Sequence, residues 1–171
     1  MMTTLFLARH GETVDNARQV MQGQTQGQLN ENGMRQAEDL ARRMATEGID
    51  AVLSSDLNRA VQTATIVARH LQLDLTTTPL LRERDWGTFT GRYIPSLKGE
   101  PFPDDVETMD CLLDRARRFL LFVSSHYPGQ RVLAVGHGIV NKAIQAVHFG
   151  KLMRQVERMT NAEVRVLQLP S

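Results

Sequence analysis

Arg9 and His10 directly follow the apolar run 5–8, and a second histidine, His137, follows the apolar run 132–135. An apolar run that ends at a glycine is typical of a buried strand, and ligands in open α/β sheets bind at the carboxyl ends of strands. An arginine offers a rigid fork of donors to a phosphoryl group, and a histidine can act as the nucleophile. The pattern therefore predicts phosphate chemistry where these strands end. A surface Arg-His pair that begins a turn is the alternative for Arg9 and His10.

Strand and helix patterns alternate along the chain. Short apolar runs are typical of strands, and apolar residues at three-to-four spacing are typical of helices. The expected strands cover 5–8, 49–53, 73–77, 132–135 and 162–169, and the expected helices cover 30–48, 56–71, 106–127 and 139–149. This alternation favours an α/β sandwich whose last strand lies at the edge of the sheet.

Asp56 is expected to be the N-cap of the helix 56–71, which places Arg59 in the first turn. A helix N-terminus presents free N–H groups and the positive end of the helix dipole. A cation is therefore unfavourable there unless an anion binds nearby, which makes Arg59 a candidate phosphate ligand. A solvated surface arginine is the alternative.

Two irregular segments are expected to border the predicted site. The polar loop 14–28 follows the first strand directly and holds donors such as Asn16 and the flexible Gly23. The charged segment 79–87 carries the only tryptophan of the chain, and dense charge beside an aromatic side chain suggests a site wall. The segment 88–105 is rich in Gly, Pro and isolated aromatic residues, which indicates an irregular surface excursion rather than a second domain.

Composition indicates one self-sufficient domain, which we expect to span residues 1–171. A chain of this length buries about two thirds of its unfolded surface without metals or disulfides. The 20 Lys and Arg residues balance 19 Asp and Glu residues, so the net charge of +1 gives no reason to expect nucleic acid or membrane partners.

Cys111 is the single cysteine and is expected to be a small buried hydrophobe in a reducing compartment. The N-terminus lacks a signal-peptide pattern, so we expect a cytoplasmic protein.

Four motifs occur in order along the chain: RHGET at 9–13, SDLNRAVQTA at 55–64, LRERDWG at 81–87 and GHG at 136–138. Together they resemble the histidine phosphatase superfamily in its phosphoglycerate mutase-like branch. The likeness covers nearly the whole chain. It implies a three-layer α/β/α sandwich with a mostly parallel central sheet, and an enzyme that uses neither a cofactor nor a metal.

The resemblance also implies a role for each matching catalytic residue. His10 would be the nucleophile that forms a phosphohistidine, and Arg9, Arg59 and His137 would line the phosphate pocket. Glu83 matches the family's acid, which protonates the leaving oxygen and then helps a water molecule to attack the phosphohistidine. The implied substrate-binding residues are Arg9, Asn16, Gly23, Arg59 and Gly138.

Some features depart from the family pattern. The segment between Gly87 and Glu107 is short, whereas many similar proteins carry a helical insertion there that covers the pocket, so we expect the site to be open on that side. Glu107 matches the family only loosely and also fits an ordinary first-turn helix residue. The neighbouring basic residues either attract an anionic substrate or are solvated charges: Arg82, Arg84, Arg92 and Lys98.

The sequence therefore predicts a metal-independent, histidine acid-type phosphatase, a phosphoric monoester hydrolase that acts on a small phosphorylated substrate through a phosphohistidine. Three alternatives keep the same pocket: mutase-type phosphoryl transfer on phosphoglycerate, a protein phosphohistidine phosphatase, and a non-catalytic phosphate-binding module. A fourth makes His10 and His137 metal ligands, but no paired-histidine spacing or carboxylate-rich motif accompanies them. A homodimer is left open as the oligomeric state.

Overall fold

The computed structural model describes every residue from Met1 to Ser171 and contains a five-stranded sheet. Its strands are β1 (Met2–Arg9), β2 (Ala51–Ser54), β3 (Leu75–Thr77), β4 (Arg131–Gly136) and β5 (Val164–Pro170). Its helices are α1 (Val14–Ala17), α2 (Glu31–Met44), α3 (Asn58–Leu71), α4 (Met109–His126) and α5 (Gly138–Phe149). No helix is long and apolar enough to cross a membrane.

The strand order is β3-β2-β4-β1-β5, and only β5 runs antiparallel to its neighbour. Strands β1 and β4 are adjacent and parallel at the centre, with Arg9 in register with Gly136. Because the residues that follow these two strands are His10 and His137, both histidines leave the sheet side by side. The prediction of an edge position for the last strand is confirmed.

Helices cover both faces of the sheet, so the prediction of a three-layer α/β/α sandwich is confirmed. Successive side chains of a strand point to opposite faces, and Leu5 and Leu7 accordingly pack with α4 and α5 in one core cluster. Phe6 and Ala8 pack with α2 and α3 in the other. Strand β1 is buried on both faces, which explains its unbroken apolar run.

The start of α3 differs from the predicted one. Leu57, not Asp56, is the N-cap of this helix, and it provides no side-chain cap. The Asp56 carboxylate instead accepts two hydrogen bonds from the Arg82 guanidinium, at 2.7 and 2.6 Å. A bidentate, charge-assisted pair is stronger than a single hydrogen bond to a helix N–H. Arg59 still lies in the first turn, as predicted.

Two further expectations need correction. Cys111 is exposed rather than buried, because the Thr108 cap at the start of α4 sets this position on the solvent side of the helix. The loop 14–28 is not wholly irregular, since α1 begins it with a capping box between Thr13 and Asn16. This box holds Asn16 close to the carboxyl end of β1.

Candidate active site

A cavity of about 130 Å³ lies where β1 and β4 end. It is lined by six of the residues that were predicted for the site: Arg9, His10, Asn16, Gly23, Arg59 and Glu83. His137 lies behind this lining, fully buried, with its ring centroid 5.1 Å from that of His10. Gly138 adjoins Arg9, since a Cβ on residue 138 would lie 3.5 Å from the Arg9 Cζ. The fold therefore gathers segments from four distant parts of the sequence at one place.

The hydrogen bond of His10 fixes the position of its ring proton. Nδ1 lies 2.7 Å from the carbonyl oxygen of Gly11, which can only accept. Nδ1 therefore carries the proton, and Nε2 keeps its lone pair in the neutral ring. Burial, together with the charges of Arg59 and Arg9, holds the pKa of His10 well below its usual value of 6.5. At neutral pH the ring is thus an uncharged base with a free nitrogen.

Arg9 and Arg59 are buried cations held by backbone carbonyl groups. Arg9 donates to the Met159 oxygen at 2.7 Å, and Arg59 donates to the Gly23 oxygen at 2.7 Å and to the Thr25 oxygen. Burial is the main cause that lowers each pKa, in both cases to about 10. Both groups remain charged at neutral pH, and their backbone contacts fix them in place without neutralising them.

His137 is held from behind by a serine. Its Nε2 lies 2.7 Å from Ser55 Oγ, and the same oxygen accepts the Leu57 N–H at 3.2 Å. Burial first, and then the charge of Arg59, keeps the pKa of His137 well below 6.5. Ser55 thereby ties the second histidine to the start of α3, the helix that carries Arg59.

Buried polar side-chain atoms without a partner in the chain are concentrated here. Such atoms are rare in folded proteins and call for an explanation. The four in this protein are Arg9 Nε, Arg59 Nε, His137 Nδ1 and Asn141 Oδ1. Three of them belong to the predicted phosphate pocket. Two of these three are N–H donors on cations, which is the chemistry that binds an anion.

Glu83 reaches the same place from the segment after β3. Its carboxylate accepts the N–H groups of Ile139 at 3.0 Å, Val140 at 2.9 Å and Arg84 at 2.8 Å. Ile139 and Val140 belong to the first turn of α5, where the helix dipole favours negative charge. The helix that begins just after His137 therefore also positions this carboxyl group.

Glu107 does not line the cavity but supports the Glu83 segment. It pairs with Arg115, and both side chains are largely buried. Arg115 also donates to the carbonyl groups of Leu80 and Arg82. Glu107 additionally accepts the Asp85 N–H at 3.0 Å. This ion pair fixes the backbone on both sides of Glu83, so the loosely matched Glu107 has a positioning role.

Asn16 and Gly23 each have an N–H donor group without an acceptor in the chain. Asn16 Oδ1 accepts from the Thr13 N–H at 3.1 Å and from Asn161 Nδ2 at 3.3 Å, which leaves its amide N–H groups free. Gly23 adopts a φ of +53°, a conformation that favours glycine, and its N–H has no acceptor in the chain. Gly138 is the first residue of α5, where N–H groups lack intrahelical acceptors.

The basic residues left open by the sequence do not line the cavity. Arg82 pairs with Asp56, Arg92 pairs with Glu100, and Lys98 is exposed. Arg84 stacks over the Trp86 ring, with its Cζ 4.8 Å from the ring centroid. They are structural or solvated charges.

The short segment 88–105 does not leave its side of the cavity bare. It pairs with the loop 14–28 through a bridge between Val20 and Tyr93, and its Ile94 lines the cavity. Trp86 also lines it, as the interpretation of the charged segment as a wall predicted. Sequence reasoning missed Ile94, and it also missed Arg158, which lies outside every motif.

The match to known families agrees with this geometry. The model of the histidine phosphatase superfamily, branch 1, matches residues 5–170, so the chain belongs to this superfamily. The relative named "Uncharacterized phosphatase PhoE", from Bacillus subtilis, is 33% identical over 166 residues, which cover 94% of this chain and 86% of PhoE.

Two further proteins are similar to the chain. "Probable phosphoglycerate mutase GpmB" from Yersinia pestis is 44% identical over 99 residues, which cover 58% of this chain and 46% of GpmB. The match thus spans less than half of that relative's length. The solved structure of Bacillus stearothermophilus YhfR superimposes with a TM-score of 0.89 at 27% identity, over 96% of this chain and 90% of YhfR.

The two buried histidines predict a loss of stability in acid. The pKa values of His10 and His137 in the folded protein lie well below 6.5. Below about pH 6.5 the unfolded chain therefore binds protons that the native state does not, and the free energy of unfolding falls by up to about 1.4 kcal/mol per pH unit for each histidine. Urea unfolding of the wild type and of His137→Asn between about pH 7 and pH 5 measures this slope. We expect the free energy of unfolding to fall less steeply with decreasing pH in the variant. Equal slopes for the two proteins would contradict a lowered pKa of His137.

Proposed function

We propose that this protein is a metal-independent phosphatase that hydrolyses a small phosphomonoester through a phosphohistidine at His10. The observation that carries the proposal is the set of unpartnered buried atoms on Arg9, Arg59 and His137 around a neutral histidine. Membership of the histidine phosphatase superfamily supports it independently. Phosphoryl transfer asks a protein mainly for in-line positioning and for positive charge around the equatorial oxygens, and the two arginines of this set supply the positive charge.

In the first step, His10 Nε2 attacks the phosphorus atom, and the bond from phosphorus to the leaving oxygen breaks. The ring proton stays on Nδ1, which donates it in a hydrogen bond to the Gly11 carbonyl, so Nε2 can attack without a separate base. Arg9 and Arg59 balance the charge of the phosphoryl oxygens. Glu83 enters this step as the neutral acid, because the phosphoryl dianion disfavours a second negative charge beside it, and gives its proton to the leaving oxygen, which departs as an alcohol.

In the second step, a water molecule attacks the phosphohistidine from the side that the leaving group has vacated. Glu83, now a carboxylate, accepts the proton of the water while the P–N bond to His10 breaks. The ring returns to its neutral form, since burial and the neighbouring arginines disfavour a second ring proton. Inorganic phosphate is the product. One carboxyl group thus serves as acid and then as base in the same pocket.

Other donors complete the proposed phosphate site. Ser55 can donate to His137 Nε2, which leaves the proton of the neutral ring on the unpartnered Nδ1. The free N–H groups of Asn16, Gly23 and Gly138 would bind the remaining phosphoryl oxygens. The low pKa of His10 keeps this residue nucleophilic on the acid side of neutrality, as an acid-type phosphatase requires. The cytoplasmic location is still a prediction, and a homodimer is still left open as the oligomeric state.

A phosphoglycerate mutase-type transfer is the second candidate, favoured by the 44% identity to the relative named GpmB. A mutase must keep water away from the phosphohistidine, whereas a phosphatase admits it. Incubation with phosphoglycerate separates the two candidates, because a mutase interconverts the isomers and a phosphatase releases inorganic phosphate. We expect phosphate release.

Replacement of His10 by Asn tests the nucleophile. We expect kcat/KM for phosphate release from phenyl phosphate to fall by at least about 10³-fold, because nothing else in the pocket replaces the ring nitrogen. His126→Asn, a change of an exposed histidine outside the cavity, is the matched control and should keep wild-type activity. The assay runs with and without excess chelator, which we expect to have no effect. Comparable activity of His10→Asn, or loss of activity in chelator, would refute the mechanism.

Replacement of Glu83 by Gln tests the proton donor. Gln keeps the shape of the side chain but cannot give a proton, so kcat on phenyl phosphate should fall by about 10²- to 10⁴-fold. Nitrophenyl phosphate should lose much less in its first step, since nitrophenolate leaves without a proton. A burst of nitrophenol under rapid mixing measures this step alone. Equal losses on both esters in the first step would show that Glu83 is not the acid.

A further inference from the structure

Arg158 brings a further cation to the cavity, from the irregular stretch between α5 and β5. It lines the cavity together with Arg9. A Cβ on residue 138 would lie 3.5 Å from the Arg9 Cζ and 3.7 Å from the Arg158 Nε. Both guanidinium groups therefore reach the same side of Gly138, whose N–H belongs to the proposed phosphate site.

No anion of the protein balances Arg158. Its side chain is exposed, takes part in none of the ion pairs of the chain and donates no hydrogen bond. Other arginines near the cavity are paired, such as Arg82 with Asp56 and Arg92 with Glu100. The charge of Arg158 also acts against Arg9, since it is the second cause, after burial, that lowers the pKa of Arg9. Two like charges held together are unfavourable unless an anion joins them.

The backbone of Arg158 is fixed on both sides. The Met159 carbonyl accepts from Arg9, and the Met159 side chain is almost fully buried. Arg165 donates to the Glu157 carbonyl at 2.7 Å and more weakly to the Arg158 carbonyl, and it is itself paired with Glu163. The chain therefore enters and leaves residue 158 at anchored points, while the guanidinium group stays free at the cavity.

The cavity is too small for a whole substrate. At about 130 Å³ it lies well below the volume of about 300 to 1,000 Å³ that is common for small-molecule sites. A phosphoryl group bound by Arg9, His10 and Arg59 would occupy the buried end of the cavity, so the leaving group extends to the cavity mouth. Arg158 and Ile94 are the exposed residues of the lining, so they lie where the leaving group emerges.

We propose that Arg158 is a specificity residue that binds a second anionic group, a carboxylate or a second phosphate, on the leaving group of the substrate. The proposal rests on the proposed phosphatase function and adds a substrate class to it. Arg9 and Arg59 already match the two negative charges of a phosphoryl dianion. With Glu83 as the neutral acid of the first step, a third cation in the same cavity leaves positive charge over, and a substrate with one further negative group matches it.

Three aryl esters test the proposal: phenyl phosphate, 3-carboxyphenyl phosphate and the bisphosphate of 1,3-dihydroxybenzene. We expect the wild type to prefer at least one substituted ester over phenyl phosphate by about tenfold in kcat/KM, the gain of one charge-assisted hydrogen bond. The preferred ester tells a carboxylate site from a phosphate site. In Arg158→Gln the preference should fall toward one, and Arg158→Lys should restore part of it.

Arg154→Gln is the matched control, because Arg154 is an exposed arginine of the same stretch that does not line the cavity. It removes the same charge and should keep the wild-type preference. An equal loss of preference in Arg154→Gln would reduce the effect of Arg158 to long-range charge and overturn the proposal. An equal fall on all three esters in Arg158→Gln would overturn it as well, since Arg158 would then contact the phosphoryl group.

The outcomes also separate this proposal from the function on which it rests. Hydrolysis of all three esters without any preference in the wild type overturns the role of Arg158 and leaves the phosphatase function intact. No release of phosphate from any ester overturns the phosphatase function, and the specificity proposal falls with it.

Discussion

The parallel pairing of β1 and β4 is the constraint on which the site depends. With Arg9 in register with Gly136, the residues that follow must leave the sheet next to each other, and those residues are His10 and His137. The two strands are buried on both faces and hold this register through a continuous apolar core. Helix α5 begins at once after His137, and its first N–H groups hold Glu83. The proposed nucleophile His10, the second histidine and the proposed acid Glu83 are thus all positioned by this one strand pair.

The buried charges of the site lower the free energy of unfolding of the protein when no anion is bound. Burial of Arg9 and Arg59 removes them from water, and their Nε–H groups donate no compensating hydrogen bond within the chain. Burial of His10, together with the same two charges, lowers its pKa and keeps the ring neutral, which a nucleophilic nitrogen requires. A bound phosphoryl group would supply the missing acceptors. The free energy that the fold loses in this cluster is therefore available for binding the substrate and for stabilising the transition state.

Much of the fold and part of the site were predictable from the sequence. The apolar run before His10 and the helical spacing of α2, α3, α4 and α5 follow from side-chain burial, a local property that a sequence displays directly. The pairing of β1 with β4 is a contact between residues far apart in the chain, and only the resemblance to a family implied that the two histidines meet. Glu83 likewise has no local signal of its own among the charges of its segment.

The errors have equally physical causes. Asp56 has the right residue type and place for an N-cap. In the folded chain, however, the Arg82 guanidinium lies beside its carboxylate and binds it in place of the helix N–H groups. Arg158 escaped notice because a cation in an irregular stretch is in most cases a solvated charge. The position of Arg158 at the cavity depends on the neighbouring Met159, whose carbonyl accepts a hydrogen bond from Arg9. The contacts of Arg82 with Asp56 and of Arg9 with Met159 join residues far apart in the sequence, so local patterns do not predict them.

A single-turnover experiment tests the phosphohistidine mechanism at His10 directly, with excess enzyme and a phosphomonoester that carries a labelled phosphoryl group. The reaction is quenched in base within the first turnover, and the modified peptide is mapped by mass spectrometry. We expect a base-stable, acid-labile phosphoryl group on His10 that forms before free phosphate appears. Phosphate that forms at the full rate without any such adduct, or a label on another residue, would contradict it.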